Sequence, residues 1–117
     1  MKTLMIINDP PYGTERMYNG LRLATNVLDK DPDAQLVVFL LGDGASGAKS
    51  GQQTPNGYYN VERMLASVAR KGAPVLVCGT CMDARGLTQE DLLEGAHRST
   101  MDALTQATVD ADKVIAF

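Results

Sequence analysis

The sequence predicts an α/β fold: three layers, α/β/α, around a mainly parallel sheet of four to five strands. Short apolar runs at Thr3 to Ile7, Gln35 to Leu41 and Pro74 to Val77 have the length and composition of strands buried on both faces. The segments between them carry apolar residues at helical spacing. Runs and helical segments alternate along the chain, the order expected of crossovers between parallel strands, which are right-handed by default.

Each element has a local justification. The first strand, Thr3 to Ile7, is stopped by Asn8-Asp9-Pro10-Pro11. Thr14 is placed to cap a helix, with Glu15 in its first turn, where a carboxylate meets the positive end of the helix dipole. Met17, Leu21, Ala24 and Leu28 recur on one face of that helix, widened by Tyr18 and Val27, and Asp31-Pro32-Asp33 ends it. Gln35 to Leu41 is the second strand. Gly42 to Asn60 is polar and rich in glycine, serine and glutamine, and reads as a long mobile loop. Asn60 caps a helix with inner face Val61, Met64, Leu65 and Val68, which Gly72 and Pro74 terminate. Pro74 to Val77 is the third strand and ends at Cys78. Thr88-Gln89-Glu90-Asp91 has the form of a capping box with Asp as its acid. It predicts a helix that turns Leu92, Leu93 and Ala96 inward. Ser99 restarts or continues that helix through Met101, Leu104 and Ala107, and Lys113 to Phe117 is a last strand.

The 117 residues suit a single domain, 1–117, large enough to bury a core. Eleven basic residues stand against 14 acidic ones, a net charge of −3, with no basic cluster, which argues against direct nucleic-acid binding. No apolar run approaches the ~20 residues that cross a membrane, and the first strand is too short for a signal sequence, so the expected location is the cytoplasm. Two cysteines and the lone His97 fall short of the four ligands of structural zinc, so no metal is expected and no cofactor is called for.

Two glycine motifs are set aside. Gly42-Asp43-Gly44-Ala45-Ser46-Gly47 matches G-x-G-x-x-G, but the residues from Ala48 to Gly57 do not read as the helix that would receive a pyrophosphate. As a phosphate loop, Gly42 to Ser50 has Ala48 where the lysine should stand directly after glycine. His97 has no partner at ligand or triad spacing and reads as a polar helix residue.

The residues that point to chemistry are Cys78-Gly79-Thr80-Cys81. Cys78 stands at the carboxyl end of a parallel strand, the side on which such sheets bind ligands. If Gly79 to Arg85 opens a helical turn, its N–H groups and the charge of Arg85 favour the nucleophilic thiolate. Gly79 would let a substrate or partner approach the backbone, and Thr80 stands within the same turn. The plainer alternative is that Cys78 is a small buried hydrophobe. Tyr12, Gly13 and Thr14 leave the same side of the sheet in the first loop, as anion- or substrate-binding candidates, although Tyr12 equally suits a packing role in a proline turn.

Pro11-Tyr12-Gly13-Thr14, Gly42-Asp43-Gly44, Cys78 followed by Arg85-Gly86, and the terminal Asp112-Lys113-Val114-Ile115-Ala116-Phe117 together resemble the DsrE/DsrF-like family, over the whole chain. The Cys-Gly-Thr-Cys-x-x-x-Arg-Gly string is similar to its YchN-type branch. The resemblance implies a small α/β subunit that assembles as a homo-oligomer, a trimer or hexamer. In sulfur-relay members one cysteine carries sulfur as a persulfide, and by spacing that cysteine corresponds to Cys78. Sulfur donor and acceptor proteins would then be partners, with Arg85 holding charge or orienting the turn. Cys81 departs from the relay subunits and stands ready to resolve a persulfide as a Cys78–Cys81 disulfide. Two other readings stay open: an oligomeric ligand- or partner-binding protein without catalysis, and a CxxC thiol–disulfide exchanger, which here lacks an aromatic before the motif.

Overall fold

In the computed structural model, which describes residues 1–117, five strands form one sheet in the order β4-β3-β2-β1-β5. They are β1 (Lys2–Ile7), β2 (Gln35–Leu40), β3 (Val75–Cys78), β4 (Ala96–Ser99) and β5 (Lys113–Ala116), and every pairing is parallel. The helices are α1 (Arg16–Lys30), α2 (Val61–Arg70), α3 (Gly79–Ala84) and α4 (Met101–Asp110).

Strand alternation divides the apolar residues between two faces. Met5, Ile7, Val38, Leu40, Val75 and Val77 join Met17, Leu21 and Ala24 of α1 and Val61, Leu65 and Val68 of α2 in a core of 21 buried residues. Leu4, Phe39 and Cys78 turn to the opposite face and meet Leu104 of α4, a buried cluster of only 4. The second layer of helix is therefore thin, and Cys78 belongs to it. No helix is long and apolar enough to cross a membrane.

Most predicted elements form where they were expected, with small shifts at their ends. Glu15, not Thr14, occupies the N-cap of α1, although Thr14 Oγ1 still accepts from the Arg16 N–H at 3.4 Å. Asn60 caps α2 by accepting from the Arg63 N–H at 3.1 Å. Thr100 caps α4 in the same way through the Ala103 N–H, and along that helix Leu104 is buried while Met101 is exposed.

Two expectations fail. Ala96–Ser99 is the edge strand β4, not part of a helix. The Thr88–Asp91 capping box forms, yet it closes only a 3-10 turn over Gln89–Asp91, after which Leu92 is extended. Leu92 and Leu93 are buried as extended chain: Lys49 bridges Leu92, and the Leu93 N–H donates to the Ala48 carbonyl at 2.9 Å. Gly95, at φ +96°, then turns the chain into β4. His97-Arg98-Ser99 looked unlike a strand because an edge strand has less need of apolar residues than a central one.

The second failure is at Gly42–Ala48, which is 3-10 helix and buries Gly44, Ala45, Gly47 and Ala48. A Cβ on Gly44 would collide with the Ile7 carbonyl, and one on Gly47 would lie 2.6 Å from the Met17 sulfur. The glycines here serve close packing, where the sequence reading had backbone freedom. The stretch beyond is tied down as well. Gln52 Nε2 donates to the carbonyls of Gly47 and Lys49, and its Oε1 accepts from the Tyr12 hydroxyl.

Candidate functional site

Cys78 is the last residue of β3 and the N-cap of α3. The strand ends there because Gly79 begins a helix of six residues, and the cysteine side chain takes the capping role that an oxygen normally fills. Its Sγ accepts from the Cys81 N–H at 3.4 Å and lies 3.4 Å from the Thr80 hydroxyl. The Cys81 thiol points at the same atom, 2.7 Å away, and both cysteines are free.

These contacts make the two thiols unequal. Burial pushes the Cys78 thiol up, but hydrogen bonds from the Cys81 and Thr80 side chains, with their backbone N–H groups, outweigh it and hold it below its ordinary value. Cys81 moves the other way. Burial raises it, giving its hydrogen to Cys78 raises it further, and the Gly42 N–H donating to its sulfur at 3.2 Å offsets this only in part. Cys78 is thus the more acidic thiol of the pair, and Cys81 the one that donates to it. Cys78 is also the more enclosed, with 6% of its surface exposed.

Arg85 does not bond to Cys78. It donates to the Cys81 carbonyl at 3.0 Å and pairs with Asp43 at 2.7 Å, fastening the end of α3 to the glycine-rich turn after β2. Surface pairs of this kind add little stability, so its contribution is to hold the turn in place. Gly79 is buried, and its missing side chain leaves room for the guanidinium of Arg98, which a Cβ would approach to 2.9 Å. Arg98 in turn grips Asp83 of α3 through two hydrogen bonds of 2.7 and 3.0 Å. Sequence reasoning missed Arg98 because it had placed β4 inside a helix. The register of β4, Val77 opposite Arg98 and Cys78 opposite Ser99, is what brings it beside the motif.

Tyr12, Gly13 and Thr14 are directed elsewhere. The Tyr12 hydroxyl accepts from the Val61 N–H at 3.0 Å at the start of α2. Gly13 and Thr14 line an open hollow with Tyr18, Tyr58 and Tyr59. All four tyrosines of the chain gather there: Tyr59 stacks on Tyr18 at 4.3 Å, on Tyr58 at 4.5 Å and on Tyr12 at 5.7 Å. Only the adjacency of Tyr58 and Tyr59 was visible in the sequence. No three histidine, cysteine, aspartate or glutamate side chains come together as a metal-binding set.

A free, depressed thiol with a second thiol in contact is equipped for sulfur exchange: attack on a sulfane sulfur or disulfide, and resolution from within the same turn.

Comparison with known proteins places this arrangement among relatives. The model of the DsrE/DsrF-like family matches residues 1–117. Protein YchN of Escherichia coli K12 is 35% identical over 116 residues, covering 99% of this chain and 98% of that one. The uncharacterized protein MJ0989 of Methanocaldococcus jannaschii is 40% identical over 117 residues, covering 100% of both. The crystal structure of the Escherichia coli YchN protein superposes with a TM-score of 0.94 at 35% identity, covering 99% of this chain and 98% of that one. MTH1491 of Methanobacterium thermoautotrophicum, a protein of unknown function, superposes with a TM-score of 0.74 at 16% identity over 99% of this chain and 98% of its own, a likeness of fold alone.

Proposed function

The chain belongs to the DsrE/DsrF-like family, and on that premise we propose that it is a sulfur-relay protein carrying sulfane sulfur as a persulfide on Cys78. The observation that carries the reading is the inequality of the two thiols: Cys78 is depressed by hydrogen bonds to its sulfur, and Cys81 is raised. The Cys78 thiolate attacks the outer sulfur of a donor persulfide. A new S–S bond forms at Cys78, the donor's S–S bond breaks, and the donor leaves as a thiolate. An acceptor thiolate then takes the outer sulfur, and Cys78 leaves as thiolate. Sulfur donor and acceptor proteins are the partners this cycle needs. The cytoplasm, where thiols stay reduced, is the compartment that suits it.

A second outcome is favoured by the 2.7 Å approach of the two sulfurs. Attack of Cys81 on the inner sulfur of the persulfide forms a Cys78–Cys81 disulfide and expels hydrosulfide, ending the relay. The same contact would serve a thiol–disulfide exchanger, and one experiment separates the readings. Cys81→Ser is incubated with a low-molecular-weight persulfide and its intact mass is measured. A carrier gains about 32 Da, one sulfur, located on Cys78. A protein that forms mixed disulfides yet never retains the single sulfur is an exchanger, and the carrier reading falls.

We also propose that the working form is a homo-oligomer, a trimer or hexamer. Its support is the exposed aromatic face: Tyr58 lies on the tyrosine stack with 52% of its surface open.

A further inference from the structure

Outside the Cys78–Cys81 contact, one charged group is built into the site without any part in the chemistry so far described. Arg98 comes from β4, and its guanidinium lies flat against Gly79, the residue next to Cys78. A Cβ at Gly79 would be 2.9 Å from its Cζ and 3.0 Å from both Nε and Nη2. Asp83 holds it there with a fork of 2.7 and 3.0 Å from Nη1 and Nη2. A guanidinium has five N–H donors, and this fork engages two of them. No other side chain accepts from the rest.

We infer that Arg98 is the electrostatic positioning residue of the Cys78 site: seated on Gly79 and aimed by Asp83, its cation stabilises the anionic sulfur, thiolate and persulfide alike. The inference rests on Cys78 being the working sulfur. Gly79 then has a specific reason to lack a side chain, since any Cβ would displace the cation. Asp83 does two things of opposite sign. It fixes the guanidinium, and it offsets part of the charge that Cys78 feels. Asp83 hydrogen-bonding, against a smaller effect of desolvation, holds the Arg98 proton more firmly than usual, and the charge of Cys78 acts in the same direction.

The other charged and titratable groups around Cys78 have other engagements. From α3 come Cys81, whose thiol already points at Cys78, and Arg85, which pairs with Asp43 of the glycine-rich turn and whose charge acts on Cys81. From α4 the packed residue is Leu104, which is uncharged. Arg98 is therefore the cation whose removal should be felt.

The opposite signs make the test. In a Cys81→Ser background, which leaves Cys78 as the one thiol, the rate of iodoacetamide alkylation is followed against pH. Arg98→Gln should slow alkylation about three- to tenfold at a pH below the midpoint, the size expected of one partly screened charge seated on the neighbouring residue. Asp83→Asn should speed it, because the cation stays and its counter-ion goes. Arg98→Lys should recover part of the loss. A merely structural ion pair would move both profiles the same way, since either substitution loosens α3. Shifts in the same direction, or no shift in either, overturn the assignment. Circular dichroism confirms that each variant is folded, and Arg98→Met stands in for Arg98→Gln if that variant is not. No sulfur donor enters this measurement, so the carrier reading is judged apart from it. A protein with the expected profiles that never takes up sulfur refutes the carrier and keeps the cation. One that loads sulfur but ignores both substitutions does the reverse.

Discussion

The backbone N–H of Gly42 donates to the sulfur of Cys81 at 3.2 Å, across 39 residues of chain. That contact, with the Arg85–Asp43 pair beside it, orients Cys81 from the turn after β2, while Cys78 is held by α3 itself. The two thiols of one motif therefore answer to different parts of the fold, and their chemistry can be separated by substitution.

Cys78 is expected to give the fast, low-pH phase of alkylation and Cys81 the slow one. Cys78→Ser should abolish the fast phase. Cys81→Ala, which removes the thiol that donates to Cys78, should move the remaining profile to higher pH, and Cys81→Ser, which keeps a hydroxyl donor, should move it less. Stability follows by linkage. In Cys81→Ser, where Thr80 and the backbone N–H groups of Thr80 and Cys81 still act on the Cys78 sulfur, the folded state should lose the Cys78 proton at a lower pH than the unfolded chain does. Between the folded value and the unfolded one, about 8.5, the unfolded chain binds more protons, so stability should rise with pH across that window. Urea unfolding at a series of pH values checks the sign, and a decline over the window would contradict the assignment of the depressed thiol.

How much of this was legible in the sequence depended on the kind of interaction. Strands β1, β2 and β3, and the burial of α1 and α2, were plain because buried central strands and amphipathic helices have regular patterns. Cys78 was found by its place at a strand end. Arg98 was not, because the capping box at Thr88–Asp91 is genuine but closes only one turn, and the edge strand after it has no apolar signature. The glycine-rich turn was misread because glycine marks two different needs, freedom of the backbone and lack of room, and spacing does not tell them apart.

Gly44 is the sharper test of lack of room. Its Cβ would meet the Ile7 carbonyl, backbone against backbone, with no flexible side chain to give way. Gly44→Ala should cost about 1–3 kcal/mol, the range for overpacked interiors, or more if the turn detaches. Ser46→Ala in the same turn should be nearly neutral. Urea midpoints of the two variants settle it, and equal midpoints would mean the turn is not packed against β1.

Asn60 ties two structures together. Its Oδ1 caps α2 at the Arg63 N–H, and its Nδ2 donates to the Gln52 carbonyl at 3.2 Å. The side chain is buried, 6% exposed, so both bonds are sheltered from water. Asn60→Ala should lose about 1–2 kcal/mol of stability, at the upper end for a cap. Asn60→Asp should keep the cap but strand the Gln52 carbonyl, and should fall between the two. A drop in thermal midpoint shared equally by both variants would mean that the capping bond contributes nothing.

The tyrosine face gives the last prediction, on assembly. Tyr58 and Tyr59 stack at 4.5 Å, Tyr59 stacks in turn on Tyr18, and Arg22 lies 5.4 Å over the Tyr18 ring. A rigid aromatic stack costs little conformational entropy to bury, and aromatic residues with arginine dominate the energetics of interfaces. The proposed homo-oligomer should therefore use this face, and light scattering after size exclusion should give a mass three or six times 12.6 kDa. Tyr58→Ala removes the outermost ring without touching the α2 cap or the Tyr12 hydrogen bonds. It should weaken association by about 2 kcal/mol, a hot-spot loss, and shift the mass downward on dilution. A wild-type mass near 12.6 kDa at all concentrations would remove the oligomer. A multimer whose mass ignores Tyr58→Ala would move the interface to another face, with the thinly covered α4 side next to be tested.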